Sequence, residues 1–168
     1  MSRPDSSAIA NALIAKLGAD TALLALVPDN VHEDMGPEGA TRFVVVSQIL
    51  ATDQSVLFEG RVIEDALFLV EARVLKGAGP TTACAAAAAR IDELLEDGTL
   101  DVPGYTVSAM FREEFVRGTE VDERDRTIVW KRRGGRYRVT ATREPAVTVA
   151  RTRPQGVVVS PRLTQSAT

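Results

Sequence analysis

The chain has 168 residues and a mass of 18.1 kDa, with 20 Lys and Arg side chains against 23 Asp and Glu, so its formal net charge is −3. The single cysteine excludes a disulfide-stapled domain, and no apolar run approaches the ~20 residues that a membrane-spanning helix needs. The first residues, MSRPDSS, are polar, so we expect no secretion signal. These features predict a soluble protein from a reducing compartment, long enough for one domain and an appendage.

Charge is distributed unevenly along the chain. Residues 1–130 hold 11 basic and 22 acidic side chains, whereas residues 131–168 hold nine basic and one acidic. A basic final quarter on an acidic body predicts that this quarter meets an acidic partner. That partner could be nucleic acid, a neighbouring protein or the chain's own body.

Two short helices and a loop are predicted at the N-terminus. Residues 6–17 carry an apolar stripe at helical spacing, and Gly18 is placed to end the helix. Asp20 is a typical N-cap for a second short helix, which Pro28 ends, and the two helices are expected to form a hairpin. The polar stretch 28–40, with its glycines and prolines, predicts a loop.

Two strands and a helix are predicted in the middle of the chain. The β-branched run 43–50 is typical of a buried strand, and alternation over residues 64–75 predicts a long strand that is apolar on one side. Residues 51–61 between them are predicted to form a mobile connection. Pro80 is expected in the first turn of a helix that runs to about Asp97 and lies close on the sheet through its alanines.

Further strands are predicted after that helix. Alternation over residues 105–112 indicates a third strand, and the heavily charged residues 113–126 predict a solvated loop. Residues 127–142 are strand-like on both sides of Gly134-Gly135. Two adjacent glycines permit either a tight hairpin turn or a bulge in one long strand, and a single kinked strand is the preferred interpretation.

The order of these elements predicts an α+β fold. We expect a mostly antiparallel sheet of about four strands, with the N-terminal helical hairpin and one longer helix packed on it. Residues 1–142 are expected to form this core domain. Residues 143–168 have prolines, no helical period and two short β-branched runs, which predicts an extended basic arm that cannot bury a core alone.

Few residues suit catalysis or metal binding. His32 has no second His or Cys nearby, so we interpret it as a loop histidine in solvent, and we interpret Cys84 as a buried, inert thiol. The turn 77–80 lacks the third glycine and the Lys-Ser/Thr of a phosphate loop, and the acidic residues within 113–125 match no calcium loop. We therefore expect no enzyme, no cofactor and no metal.

Basic side chains late in the chain are the candidate residues for binding a partner or another subunit. Alternation would put Arg132, Arg136 and Arg138 on one face of an unbroken strand. They could contact phosphates or an acidic surface of another subunit, or form a solvated face that offsets the acidic body. The positive charge continues into the arm, which favours the interpretation that these side chains contact a partner or another subunit. The candidates are Lys131, Arg132, Arg133, Arg136, Arg138, Arg143, Arg151, Arg153 and Arg162, with the arm valines Val147, Val149, Val157 and Val159.

Several segments, in order along the chain, resemble one known family. They are AIANALI at 8–14, TALLALV at 21–27, FVVV at 43–46, EARV at 71–74 and WKRRGGRYRV at 130–139. This pattern, over residues 6–142, resembles the tail-terminator, or tail-completion, family of long-tailed bacteriophages. None of these segments is a catalytic motif, and the arm is not part of the pattern.

The resemblance implies a non-enzymatic structural protein of the virion tail or neck, made in the host cytoplasm. Family members are small α+β subunits that form a hexameric ring, cap the tail tube and join it to the head connector, while DNA passes through the lumen. The implied partners are further copies of the chain, the major tail tube protein and the head–tail connector or stopper protein. Passing genomic DNA is implied without sequence-specific binding, and no membrane or cofactor is implied.

The arm and the acidic body suit such a ring. A ring needs one heterologous interface repeated around an axis, and an extended arm can add a strand to a neighbour. An acidic lumen would repel DNA and let it slide. The arm carries four arginines and one glutamate, too sparse for a dedicated DNA-binding tail, so docking on the acidic surface of an adjacent subunit is favoured.

Two alternative functions stay open at this level. A nucleic-acid-binding accessory protein would use the basic C-terminal segment, and its affinity would fall steeply with salt. No motif for sequence-specific base readout is present. The other alternative is a different head–tail connector component with the same general architecture.

Overall fold

A computed structural model describes residues 7–56 and 60–144. The helices are α1 (Ser7–Gly18), α2 (Thr21–Leu26) and α3 (Ala83–Leu95), and the strands are β1 (Val31–Glu33), β2 (Arg42–Val56), β3 (Gly60–Leu75), β4 (Tyr105–Val121) and β5 (Val129–Arg143). The predicted arm after residue 144 lies outside the described residues, and with it lie Arg151, Arg153, Arg162, Val147, Val149, Val157 and Val159.

One five-stranded sheet of order β1-β2-β3-β5-β4 organises the fold. Every neighbouring pair is antiparallel except β1 and β2, which run parallel. The mixed helix-and-sheet architecture is therefore as predicted, with one strand more than the expected four. Strands β2 and β3 form one long antiparallel hairpin, and β4 and β5 form a second. The pairing of β3 with β5 in the middle of the sheet joins the two hairpins.

The helices cover one face of the sheet, and the core lies between them. The inward face of β3 is fully or almost fully buried, as its alternation predicts, and consists of Ala66, Phe68, Val70, Ala72 and Val74. The helices contribute buried side chains to this core, which include Ile9, Leu13 and Ile91. The alanines of α3 keep that helix close to the sheet. Burial of each large apolar side chain contributes roughly 1.5–3 kcal/mol, so this layer is the main source of stability.

Polar contacts fix the helices over the core. Asp20 caps α2 by accepting a hydrogen bond from the Leu23 amide at 2.7 Å, and it also receives the Arg90 guanidinium of α3 at 2.6 Å. The hydrogen bond from Arg90 and the bond from the Leu23 amide hold the pKa of the Asp20 carboxyl below its usual value. On the sheet, the buried Tyr137 donates its hydroxyl proton to Asp92 of α3 at 3.1 Å. Among the described residues, none of the helices has the length and apolarity needed to cross a membrane.

Three segments predicted as loops are strands. In the connection predicted at 51–61, residues 51–56 belong to the end of β2 and residues 60–61 to the start of β3. Residues 113–121 continue β4, and residues 31–33 form β1. The predictions were wrong because exposed polar residues were taken as a sign of irregular backbone. In a long hairpin the partner strand satisfies the backbone hydrogen bonds whatever side chains face the solvent.

The glycine pair lies inside β5, which is a single strand as preferred. It holds neither a turn nor a bulge, because the pairing of β5 with β3 runs without interruption from Thr142 to Trp130. A Cβ atom on Gly134 would lie 2.0 Å from the carbonyl oxygen of Val70. Glycine is therefore needed for the close approach of two strands.

The irregularities lie in β4 instead. The register of β4 with β5 shifts at Ser108 and again at Glu113. The first shift turns Met110 into the core and leaves Phe111 exposed, which reverses the alternation predicted for this strand. Helix α3 also begins later than predicted, at Ala83, so Pro80 precedes the helix rather than occupying its first turn.

Candidate interaction surfaces

The arginines predicted to share one face lie on the sheet face turned away from the helices, here called the open face. Arg132, Arg136 and Arg138 of β5 stand opposite Arg73, Leu69 and Leu67 of β3. This face has no helix over it. The side chains of three strands, β3, β5 and β4, therefore decide its charge.

A buried glutamate neutralises the first of these arginines. Glu71 has 0% exposure and accepts hydrogen bonds from Arg73 Nε at 2.8 Å and from Arg132 Nη2 at 3.1 Å. Arg132 also donates to Glu120 of β4 at 3.1 Å. A buried carboxylate persists only when charged donors satisfy it, so Glu71 and its two arginines form one unit across the sheet. Burial opposes the charged form of Arg132, but its bonds to Glu71 and the nearby Glu120 outweigh burial and raise the pKa.

The other two arginines are paired as well. Arg138 binds Asp65 of β3 at 2.9 Å and also contacts Glu113 of β4, and Arg136 binds Glu114 of β4 at 2.8 Å. Each of the three arginines therefore has an acidic neighbour on an adjacent strand. All three arginines are thus paired within the chain, and the contact with a partner that the sequence favoured for them stays a prediction.

A second group of cations faces the opposite way, towards the helices. Lys131 and Arg133 of β5 line an open groove of about 320 Å³ beside the start of α3, together with Arg117 of β4. We call these three side chains the basic groove. Within the described ranges, no carboxylate lies within 4.0 Å of any of their charged groups.

Arg117 and Arg133 stand directly opposite each other in the β4–β5 pair. Like charges at opposed positions of an antiparallel pair destabilise the sheet. Sequence reasoning missed Arg117 because it assigned residues 113–126 to a loop. The alternation of β4 would have placed it correctly had the strand been extended. The last candidate on β5, Arg143, pairs with Tyr105 at the end of the strand.

The two residues considered for chemistry have structural surroundings. His32 is half-buried in β1, with Nε2 2.5 Å from the Asp29 carbonyl oxygen, so its prediction as a solvated loop residue was wrong. Cys84 is buried as predicted, with Sγ 3.4 Å from the Ala72 carbonyl oxygen, and burial raises the pKa of its thiol. No group of three or more metal-ligating side chains occurs in residues 7–56 and 60–144.

Comparison with solved structures finds this fold in other proteins. A chain from the virion of a native gene transfer agent particle matches with a TM-score of 0.60 at 22% identity, over 84% of this chain and 99% of that one. A second solved protein, whose name states no function, matches with a TM-score of 0.56 at 14% identity, over 85% and 99%. At such identities the likeness shows a shared fold. No family model and no curated protein sequence matches the chain.

Proposed function

We propose that the protein is a non-enzymatic structural component of a phage-like virion. The observation that carries this proposal is the match to a chain of a gene transfer agent virion, because it spans 99% of that chain rather than a shared fragment. The ordered sequence resemblance to tail terminators points in the same direction. A fold alone does not define a function, so the two lines of support are needed together.

The finer proposal is a tail-terminator role at the neck of the particle. Copies of the chain form a hexameric ring that caps the tail tube and joins it to the head connector. The partners are the tail tube protein, the connector or stopper protein, and genomic DNA that passes through the lumen without sequence-specific contact. The acidic balance of residues 1–130 supports passage of DNA, since like charges repel.

The test is the position of the chain in particles. Particles produced with and without the gene are imaged and their proteins identified. We expect density for the chain between tail tube and head, and heads that fail to join tails when it is missing. Complete particles without the chain would contradict the proposal, and density elsewhere in the particle would contradict the neck position alone.

A further inference from the structure

Among the described residues, the charged side chains that lack an ion-pair partner at the two edges of the sheet have opposite signs. Strand β4 forms one edge and holds Arg117 of the basic groove. Strand β1 forms the other, and Glu33, Asp34 and Glu38 in and after it are all exposed. We call these three residues the acidic loop. In the described part of the chain, no cationic group lies within 4.0 Å of their carboxylates.

The acidic loop and the basic groove lie at the same level along the strands. One cross-strand row starts at Val31 of β1, passes through Val44 and Ala72, and ends at Arg133 and Arg117. Glu33 is two residues further along β1, in the row that ends at Phe115. Because paired residues share a face and alternate residues return to it, Glu33 lies on the helix-side face, as do Arg117 and Arg133.

Exposed apolar side chains accompany both charged groups. Met35, in the acidic loop segment, is 78% exposed, and Phe115, two residues from Arg117 on the same face of β4, is 52% exposed. Exposed apolar side chains next to charged side chains are typical of a contact between proteins. The partner covers the apolar side chains, and its own charged groups form ion pairs with the charged side chains around them.

We propose that the basic groove of one subunit receives the acidic loop of the next copy of the chain. The contact joins two different patches at opposite edges of one sheet, so it is heterologous, and repeating it around an axis closes a ring. The contact also supplies acidic partners for Arg117 and Arg133, which carry like charges at opposed positions. By contrast, Arg132, Arg136 and Arg138 on the open face have acidic partners within the chain. The inference rests on the proposed ring and assigns its interface.

A nucleic acid phosphate is the other anion that could fill the groove. The excess of acidic side chains in residues 1–130 opposes it, because a DNA strand at the groove would meet the repulsion of the whole body. A loop from a second copy brings three carboxylates within one short segment, Glu33, Asp34 and Glu38. It also brings Met35 to cover apolar surface, which a phosphate backbone does not.

Charge reversal of each patch tests the contact in the full-length protein. Self-association is followed by sedimentation velocity at low salt for wild type, R117E/R133E and E33R/E38R, with thermal melting as a check on folding. The control R124E/R126E makes the same charge change in the exposed turn of the β4–β5 hairpin. We expect each patch variant to weaken association roughly tenfold or more, the control to behave as wild type, and an equal mixture of the two patch variants to recover association.

Other outcomes overturn the proposal in distinguishable ways. If wild type associates and the patch variants associate equally well, the interface is wrong while the ring stands. If R117E/R133E loses affinity for duplex DNA but not for itself, the groove serves nucleic acid. A wild-type chain that stays monomeric at every concentration and is absent from particles overturns both the contact and the proposed function.

Discussion

Replacement of Gly134 by alanine is expected to destabilise the protein more than any other single added methyl group in β5. The new Cβ would lie 2.0 Å from the carbonyl oxygen of Val70 and 2.6 Å from Cα of Glu71. Real Cβ atoms essentially never approach within 3.0 Å, and both obstacles are backbone, so β3 and β5 must separate by about 1 Å. That displacement falls in the middle of the sheet, where the two hairpins join.

The magnitude follows from two costs. Overpacking of a well-packed interior typically costs about 1–3 kcal/mol, and each ladder hydrogen bond that is stretched loses part of its ~1 kcal/mol net contribution. We therefore expect a loss of about 3 kcal/mol in the free energy of unfolding. For a chain of this length, that corresponds to a Tm lower by roughly 6–12 °C.

Two other glycines of the same sheet provide the comparison. A Cβ on Gly118 meets nothing within 4 Å, so G118A should be neutral or slightly stabilising through the unfolded chain. A Cβ on Gly135 would press mainly on the flexible Arg112 side chain, at 2.9 Å, so G135A should cost less than G134A. Urea unfolding of the three variants gives the order directly. If G134A were within about 0.5 kcal/mol of wild type, or G118A were as damaging, the close approach of the strands would be refuted.

Three further changes have defined outcomes. Glu71→Ala removes a buried carboxylate from two arginines and should lower the free energy of unfolding in urea by about 3–5 kcal/mol. E114Q removes an exposed carboxylate and should lower it by less than about 1 kcal/mol. Equal losses would contradict the buried unit of Glu71 and its two arginines. Because the pKa of Asp20 is lowered in the folded protein, its bonds stabilise the fold above pH ~4 and are lost as the pH falls through the folded-state pKa. Asp20→Asn keeps a cap but does not titrate, so it should flatten the fall of Tm between pH ~5 and ~2. An unchanged slope of Tm against pH would exclude a contribution of the Asp20 carboxylate to stability. Cys84 should react with a thiol reagent only at the rate of unfolding, measured by absorbance with and without urea, and fast reaction in the native state would show that the thiol is accessible.

Regular apolar patterns were sufficient to predict the core elements. Ala66, Phe68 and Val70 alternate because they face a layer of helices, and Ile9 and Leu13 repeat at helical spacing for the same reason. Such patterns report burial on one face, a local property that each segment carries in its own residues. The prediction failed in the second half of β4, residues 113–121, and at the end of β2, where both faces are largely exposed and no regular apolar pattern exists.

The candidate surface could be predicted only in part. The sequence indicated a basic cluster in β5 and the shared face of Arg132, Arg136 and Arg138. It could not show that Glu71, 61 residues before Arg132, lies beneath that face. Pairing between strands far apart in the chain decides which charges are compensated, and a count of basic residues cannot contain it.

The sequence alone determined an acidic body with a basic end, the class of fold, the buried faces of the helices and β3, and a resemblance that pointed to a virion protein. Only the tertiary structure decided the order β1-β2-β3-β5-β4, the close contact at Gly134, and the separation of the basic residues into a neutralised open face and an uncompensated groove. The physical reason is that side-chain period and composition act within a segment, whereas register and electrostatic compensation depend on which distant strands become neighbours.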